Sequence, residues 1–131
     1  MQLTIEKYGI YRVELPVQDV TRKGENGKPI PVTGSELHGP HRVVVVSVAE
    51  DGQSAVVIPL TSAQDDLGGE RRRDGGKKTW LRVYHGGKPA YILCEQIRYA
   101  DRGRFYAFED WLGEYDQQQL DLKLKVLLGL M

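Results

Sequence analysis

The sequence predicts a mainly β domain of the α+β class, in which a small barrel-like sheet carries one C-terminal helix. Short segments rich in valine, isoleucine and tyrosine alternate with turns rich in glycine and proline, which is typical of antiparallel strands. The last segment is instead rich in leucine, lysine and glutamine, which favour a helix. The chain of 131 residues fits a single domain over residues 1–131, and this length can bury a core without disulfides.

Six segments match β-strands by their alternation or their apolar density. We expect strands at residues 8–15, 42–49, 55–60, 79–84, 90–98 and 104–107. Within the second, four consecutive valines at residues 43–46 predict a strand that is covered on both faces. Pro59 cannot donate to a ladder, so we expect the chain to leave the sheet there and to present Thr61 and Ser62 at a strand end.

Two long loops and the C-terminal segment complete the prediction. Residues 17–41 are dense in glycine and proline, and residues 63–78 are polar and rich in glycine, so both ranges predict loops. Loops of this length are usually functional or mobile. The leucines after residue 119 alternate as they would in a strand, but only Val126 is β-branched, so the residue types favour a helix over residues 116–128.

Charge and cysteine content limit the function classes. The chain has 18 basic and 18 acidic residues, so its net charge alone does not indicate a nucleic-acid partner. Residues 64–88 nevertheless contain seven basic and four acidic residues, which suits an anionic ligand on one face. Cys94 is the only cysteine and lies in an apolar run, so we expect it in the core. With no signal-like or membrane-length segment in the sequence, we expect a cytoplasmic protein without a membrane partner.

Metal and phosphate-binding motifs are weakly represented. The three histidines, His38, His41 and His85, do not have the spacing of zinc ligands, and there is no second cysteine. The glycine-rich stretches within residues 68–78 do not match a P-loop. We therefore expect neither a metal nor a cofactor.

Four segments, taken in order, resemble the PemK/MazF toxin family. They are Gly34-Ser-Glu-Leu-His-Gly-Pro-His-Arg-Val-Val-Val-Val-Ser47, Pro59-Leu-Thr-Ser62, Cys94-Glu-Gln-Ile-Arg98 and the leucine-rich end Val126-Leu-Leu-Gly-Leu130. Their order and spacing hold over roughly residues 8–130, apart from insertions at residues 19–33 and 67–78. Each segment alone is a weak signal, whereas four in order are fairly specific.

The resemblance implies an SH3-like barrel with a C-terminal helix, a homodimer, and a metal-independent, sequence-selective endoribonuclease that cleaves single-stranded RNA, including mRNA. It also implies a cognate antitoxin whose acidic, flexible tail occupies the RNA groove. In such an enzyme the 2′-hydroxyl of the RNA attacks the adjacent phosphorus and leaves a 2′,3′-cyclic phosphate. The protein must accept that proton, stabilise charge on the phosphoryl oxygens and protonate the departing 5′-oxygen.

The resemblance also implies catalytic residues. Thr61 matches the active-site threonine of the family's Pro-x-Thr-Thr/Ser motif, and Glu95 falls where some members carry an aspartate that takes part in proton transfer. An ungapped match places His41 at the family's catalytic arginine, whereas a shift of one residue gives that role to Arg42. Leu93 stands where some members carry an arginine. The division of acid and base roles among these residues stays open.

Further polar residues near these motifs are expected to bind RNA. They are Ser35, Glu36, Ser62, Gln96 and Arg98, together with the basic loop residues Arg71, Arg72, Arg73, Lys77 and Lys78. The basic loop residues can instead be solvated surface. Glu95 can equally form an ordinary surface ion pair with Arg98 or Arg82, which contributes under about 1 kcal/mol.

Two other functions stay open beside RNA cleavage. A gyrase-poisoning toxin shares the implied fold, but that family is associated with a Trp-Gly-Ile C-terminus, whereas this chain ends in Gly129-Leu-Met131. A non-catalytic SH3-like binding module is the second alternative. This alternative stays open because either His41 or Arg42 can match the family's catalytic arginine, depending on a shift of one residue.

Overall fold

The computed structural model describes residues 3–15, 18–23, 29–31, 39–62 and 79–130. This part of the chain forms nine strands and one α-helix, α1 (Glu114–Leu127). The strands are β1 (Gly9–Leu15), β2 (Gln18–Lys23), β3 (Pro29–Pro31), β4 (Gly39–Val48), β5 (Ser54–Ser62), β6 (Trp80–His85), β7 (Lys88–Leu93), β8 (Arg98–Asp101) and β9 (Phe105–Trp111). The predicted mainly β fold with a C-terminal helix is confirmed.

Seven strands form one antiparallel sheet in the order β6-β7-β5-β4-β1-β9, with β8 paired to β5. β7 and β8 pair with successive parts of β5, because a 3₁₀ turn at Cys94–Gln96 interrupts the single strand expected over residues 90–98. In the described part of the chain the sheet is not closed into a barrel, since no ladder joins its edge strands β6 and β9.

The sequence predicted that the chain leaves the sheet at Pro59. In the structure β5 instead continues through Pro59 to Ser62. Pro59 pairs with Val43 of β4 on one side. On its other side the partner changes from β8 at Val57 to β7 at Leu60, so Pro59 lies where the ladder is interrupted. A missing N–H costs little at such a position. The strand therefore changes its partner instead of ending.

The loop expected over residues 17–41 is corrected in two respects. β2 and β3 form a small antiparallel ladder of their own. Within the described residues each pairs with one strand, and such edge positions tolerate the prolines of β3. β4 begins at Gly39, earlier than predicted, so His41 belongs to this strand together with Arg42 and not to a loop.

Buried side chains pack on both faces of the sheet. In β4, Val43 and Val45 belong to one apolar cluster and Val44 to the other, and all three are fully buried. This alternation follows from the pleat, which directs successive side chains to opposite faces. It confirms the prediction of a strand covered on both faces. Cys94, also predicted to be buried, lies in the same cluster as Val44.

α1 covers the cluster that contains Val44. Leu120 is the fully buried residue of the helix and packs in that cluster. Tyr8 also holds the helix, because its hydroxyl lies 2.8 and 2.7 Å from the two carboxylate oxygens of Asp121. The backbone N–H of Tyr8 donates to the Val45 carbonyl oxygen in β4. The Tyr8 carbonyl oxygen accepts a hydrogen bond from the N–H of Leu112, which lies just before α1. None of the described helices has the length and apolarity needed to cross a membrane.

Candidate active site

A cleft of about 680 Å³ opens where β4 and β5 separate. Their ladder ends at the pair Val43 and Pro59, although β4 extends to Gly39 and β5 to Ser62. Beyond that pair, β4 remains paired with β1 and β5 with β7, so the two strand ends flank a gap. The described residues that line the cleft are Arg12, Pro40, His41, Arg42, Leu60, Thr61, Ser62, His85, Gly86, Lys88, Pro89, Ala90, Glu109 and Asp110.

Charged side chains dominate the polar lining of the cleft. Among the described residues, three cations, Arg12, Arg42 and Lys88, accompany two carboxylates, Glu109 and Asp110. Two histidines complete the set, so these residues carry one net positive charge when both histidines are neutral and three when both are protonated. An electropositive cleft of this volume suits a small anionic segment such as part of a nucleic-acid backbone.

Glu109 is the centre of an ion-pair network in this cleft. Its Oε2 lies 2.8 Å from Arg42 Nε and 2.9 Å from His85 Nε2, and its Oε1 pairs with Arg12 Nε. An ionised carboxylate only accepts hydrogen bonds, so Nε2 of His85 carries the donated proton. Burial raises the pKa of Glu109, but the hydrogen bonds from His85 and Arg12 and the charges of Arg42 and Arg12 outweigh it and hold that pKa below its ordinary value. Glu109 is therefore an ionised anchor and a poor proton acceptor.

The strand register explains why the cleft contains this carboxylate. Arg12 and Arg42 are direct partners across the ladder of β1 and β4. Like charges at such a position repel each other. β9 pairs with the other side of β1 and brings Glu109 to both guanidinium groups. The carboxylate thus holds two arginines side by side, each with about half of its side chain exposed.

A tight hairpin holds His85 at the wall of the cleft. Gly86 and Gly87 connect β6 to β7 with φ values of 61° and 77°, a left-handed conformation that glycine adopts readily and that a two-residue hairpin of type I′ requires. His85 and Lys88 are partners on either side of this turn. The His85 side chain is only 9% exposed, and its bond to Glu109 joins the two edge strands of the open sheet.

The structure brings together four of the residues that the sequence analysis selected. His41 and Arg42 lie on β4, Thr61 and Ser62 on β5, and all four line the cleft. The pleat places Arg42 on the face of Val44 and His41 on the opposite face. Both border the cleft because β4 no longer pairs with β5 at this point.

Other selected residues lie elsewhere. Glu95 and Gln96 are in the 3₁₀ turn after β7, and Arg98 begins β8, and none of the three is among the described residues that line the cleft. Glu95 accepts a hydrogen bond from Trp80 Nε1 at 2.7 Å. The remaining selected residues, Ser35, Glu36, Arg71, Arg72, Arg73, Lys77 and Lys78, lie outside the described residues.

Sequence reasoning missed the cluster of Arg12, His85, Lys88 and Glu109. Arg12 had a weak signal, as a polar residue in the alternation of the first strand. His85 stood out in the sequence only as a histidine without the spacing of a zinc ligand. Nothing local marks Glu109, because its role depends on partners that are 97 and 24 residues away in the sequence. Among the described residues no group of three or more histidine, cysteine or acidic side chains could hold a metal ion.

A comparison with protein-family models matches residues 27–128 to the PemK-like, MazF-like toxins of type II toxin–antitoxin systems. The chain belongs to this family. Membership confirms the resemblance drawn from the four sequence segments, and the open antiparallel sheet with its C-terminal helix fits the fold of these toxins. A comparison with curated protein sequences gave no match.

Proposed function

We propose that this PemK/MazF-like toxin is a metal-independent endoribonuclease that cleaves single-stranded RNA in the cleft between β4 and β5. Family membership supports the reaction class. The observation that carries the proposal is the convergence of Arg12, His41, Arg42 and Thr61 on one electropositive cleft. These side chains supply the groups that internal transesterification of RNA requires, namely a proton acceptor and donors for the phosphoryl oxygens.

The roles follow from residue chemistry. Arg42 and Arg12 stabilise the charge that develops on the phosphoryl oxygens, since a guanidinium group has five N–H donors in a planar fork. Each uses its Nε on Glu109, which fixes the direction of the guanidinium plane. His41 accepts the 2′-hydroxyl proton, because neutral imidazole is a base near pH 7. Thr61 contributes a hydroxyl at the end of β5, where it donates to the phosphate or to the 2′-oxygen.

Glu95 has a different place in this proposal. Its hydrogen bond to Trp80 lies at the 3₁₀ turn and not in the cleft lining. We therefore assign Glu95, with Gln96 and Arg98, to contacts with RNA that extends beyond the cleft. The basic residues 71–73 and 77–78 add phosphate contacts that do not depend on the base sequence.

The partners of the toxin follow from the same proposal. The chain acts in the cytoplasm as a single domain over residues 1–131 and forms a homodimer. A cognate antitoxin inhibits it by placing an acidic, flexible tail in the RNA groove, where carboxylates pair with the arginines as Glu109 does. The two insertions at residues 19–33 and 67–78 select the RNA sequence that is cut.

The test is cleavage of mixed single-stranded RNA by the purified protein in EDTA, followed by analysis of the new termini. We expect 2′,3′-cyclic phosphate and 5′-hydroxyl ends, and a loss of at least about 100-fold in rate in Arg42→Ala and in Thr61→Ala. Intact RNA at high protein concentration, without antitoxin, would contradict the proposal and favour a non-catalytic binding module.

A comparison of His41→Ala with Arg42→Ala separates the two basic residues. We expect Arg42→Ala to slow cleavage at every pH, and His41→Ala to remove the rise in rate between about pH 5 and 7. Arg104→Ala is a matched control, since Arg104 lies outside the described cleft lining and donates to the Glu14 carbonyl oxygen at 3.2 Å. A loss in Arg104→Ala as large as in Arg42→Ala would show that the effect is not specific to the cleft.

A further inference from the structure

We infer that His85 is the general acid of the proposed RNA cleavage and that Glu109 positions its imidazole. The inference rests on the proposed function, because it assigns the proton transfer that the roles of His41, Arg12 and Arg42 leave unassigned. The departing 5′-oxygen needs a proton, since an alkoxide is a poor leaving group at neutral pH.

The position of His85 suits this role. It lines the same cleft as His41, but from β6 instead of β4. In the sheet, β7 and β5 lie between these two strands, so the two imidazoles belong to separate walls of the cleft. Attack and departure occur roughly in line on opposite sides of phosphorus, which requires base and acid on different sides of the scissile bond.

The glycine turn and the carboxylate together preorganise His85. Gly86 and Gly87 fix the end of β6, and the Glu109 Oε2 holds the ring through Nε2 at 2.9 Å. The charged and titratable described residues that line the cleft with His85 are Arg12, His41, Arg42, Lys88, Glu109 and Asp110. Of these, Glu109 is in hydrogen-bond contact with the imidazole and accepts its Nε2–H.

The step balances without another reactant. The 2′-oxygen bonds to phosphorus while its proton passes to His41, and the bond between phosphorus and the 5′-oxygen breaks. The electron pair stays on the 5′-oxygen, which takes the proton from Nδ1 of the His85 imidazolium. The products are a 2′,3′-cyclic phosphate, a 5′-hydroxyl, protonated His41 and a neutral His85 whose Nε2–H remains on Glu109.

A purely structural role is the competing explanation, because the bond between His85 and Glu109 joins the edges of the open sheet. Two substitutions separate the roles. In His85→Gln the side-chain amide can reach Glu109 as Nε2 does, but it cannot transfer a proton at neutral pH. In His85→Asn the shorter amide loses that contact as well. Equal urea midpoints for wild type and His85→Gln establish that the link between the strands is kept.

The experiment measures kcat/KM between pH 5 and 9 on an RNA oligonucleotide whose wild-type cleavage site has been mapped. We expect His85→Gln to lower kcat/KM by at least about 100-fold with KM nearly unchanged, and to abolish the fall in rate above neutral pH. Glu109→Gln should lower kcat with KM nearly unchanged, because the carboxylate no longer positions the imidazole.

A second substrate identifies the acid directly. It carries sulfur in place of the 5′-bridging oxygen at the scissile bond, and a thiolate departs without protonation. We expect His85→Gln to cleave it within about tenfold of wild type, since only the acid step has been lost. Activity of His85→Gln within about threefold of wild type on ordinary RNA, or no recovery on the sulfur substrate, would overturn the assignment alone. A wild-type protein that leaves RNA intact would overturn the proposed function, and the assignment with it.

Discussion

The substitution Glu109→Gln tests whether the Glu109 carboxylate stabilises the contact between the edge strands β6 and β9. In the wild type this carboxylate pairs with two half-exposed arginines and with the mostly buried His85. The half-exposed pair with Arg42 contributes under about 1 kcal/mol, and the bond to His85 contributes about 1 kcal/mol. The amide cannot accept from three donors, and so we expect Glu109→Gln to lower the free energy of unfolding by about 2 kcal/mol at pH 7.

The effect should depend on pH in a defined direction. The pKa of Glu109 lies below its ordinary value of 4.5 in the folded state. A lowered carboxyl pKa stabilises the fold above the unfolded-state value, and this stabilisation is lost as the pH falls through the folded-state pKa. The difference between wild type and Glu109→Gln should therefore shrink towards zero in strong acid.

Urea unfolding at several pH values measures this difference, with Asp110→Asn as the control. Asp110 also lines the cleft, but it is exposed, and an asparagine can still accept from the Trp111 backbone N–H. We expect the control to change stability by less than about 0.5 kcal/mol. The reasoning would be refuted if Glu109→Gln changed the free energy of unfolding at pH 7 as little as the control does. A difference in this free energy that stays constant down to pH 3 would refute it as well.

Two further predictions concern the core. Leu120→Ala should lower stability by about 2 to 5 kcal/mol in urea unfolding, because this side chain is fully buried, whereas Leu122→Ala on the exposed side of the same helix should cost under about 1 kcal/mol. Equal losses would contradict the packing of α1. The Cys94 thiol is buried, and burial raises its pKa to about 11. Iodoacetamide at pH 8 should alkylate it on the order of 100-fold more slowly in the native protein than in urea, and equal rates would place the thiol at the surface.

Local patterns in the sequence predicted most of the fold because burial in this sheet is periodic. Val43 and Val45 pack on one face and Val44 on the other, which is the pattern that an uninterrupted β-branched run encodes. The continuation of β5 beyond Pro59 was missed, since it depends on a partner that changes from β8 to β7. The ladder of β2 and β3 was missed because proline and glycine content describes single residues and not their pairing.

The candidate site also contains residues that local sequence predicted and residues that it did not. His41, Arg42, Thr61 and Ser62 could be predicted, because they lie near the ends of one strand and its hairpin partner, and family motifs mark them. The network around Glu109 could not, because its bond between His85 of β6 and Glu109 of β9 joins two strands that are not paired in the described sheet. Whether the edges of a sheet approach each other is a property of its twist and coiling, and no short segment carries that information.

His41 and Arg42 have different surroundings on β4. A slip of β4 by one residue would exchange its two faces, and the burial of Val43, Val44 and Val45 opposes such a slip. Arg42 therefore remains beside Arg12 and Glu109, and His41 remains on the other face of the strand. In the proposed reaction, Arg42 stabilises charge on the phosphoryl oxygens and the neighbouring His41 accepts the proton. We accordingly expect Arg42→Ala to lower the cleavage rate at every pH, and His41→Ala to change the pH dependence of the rate.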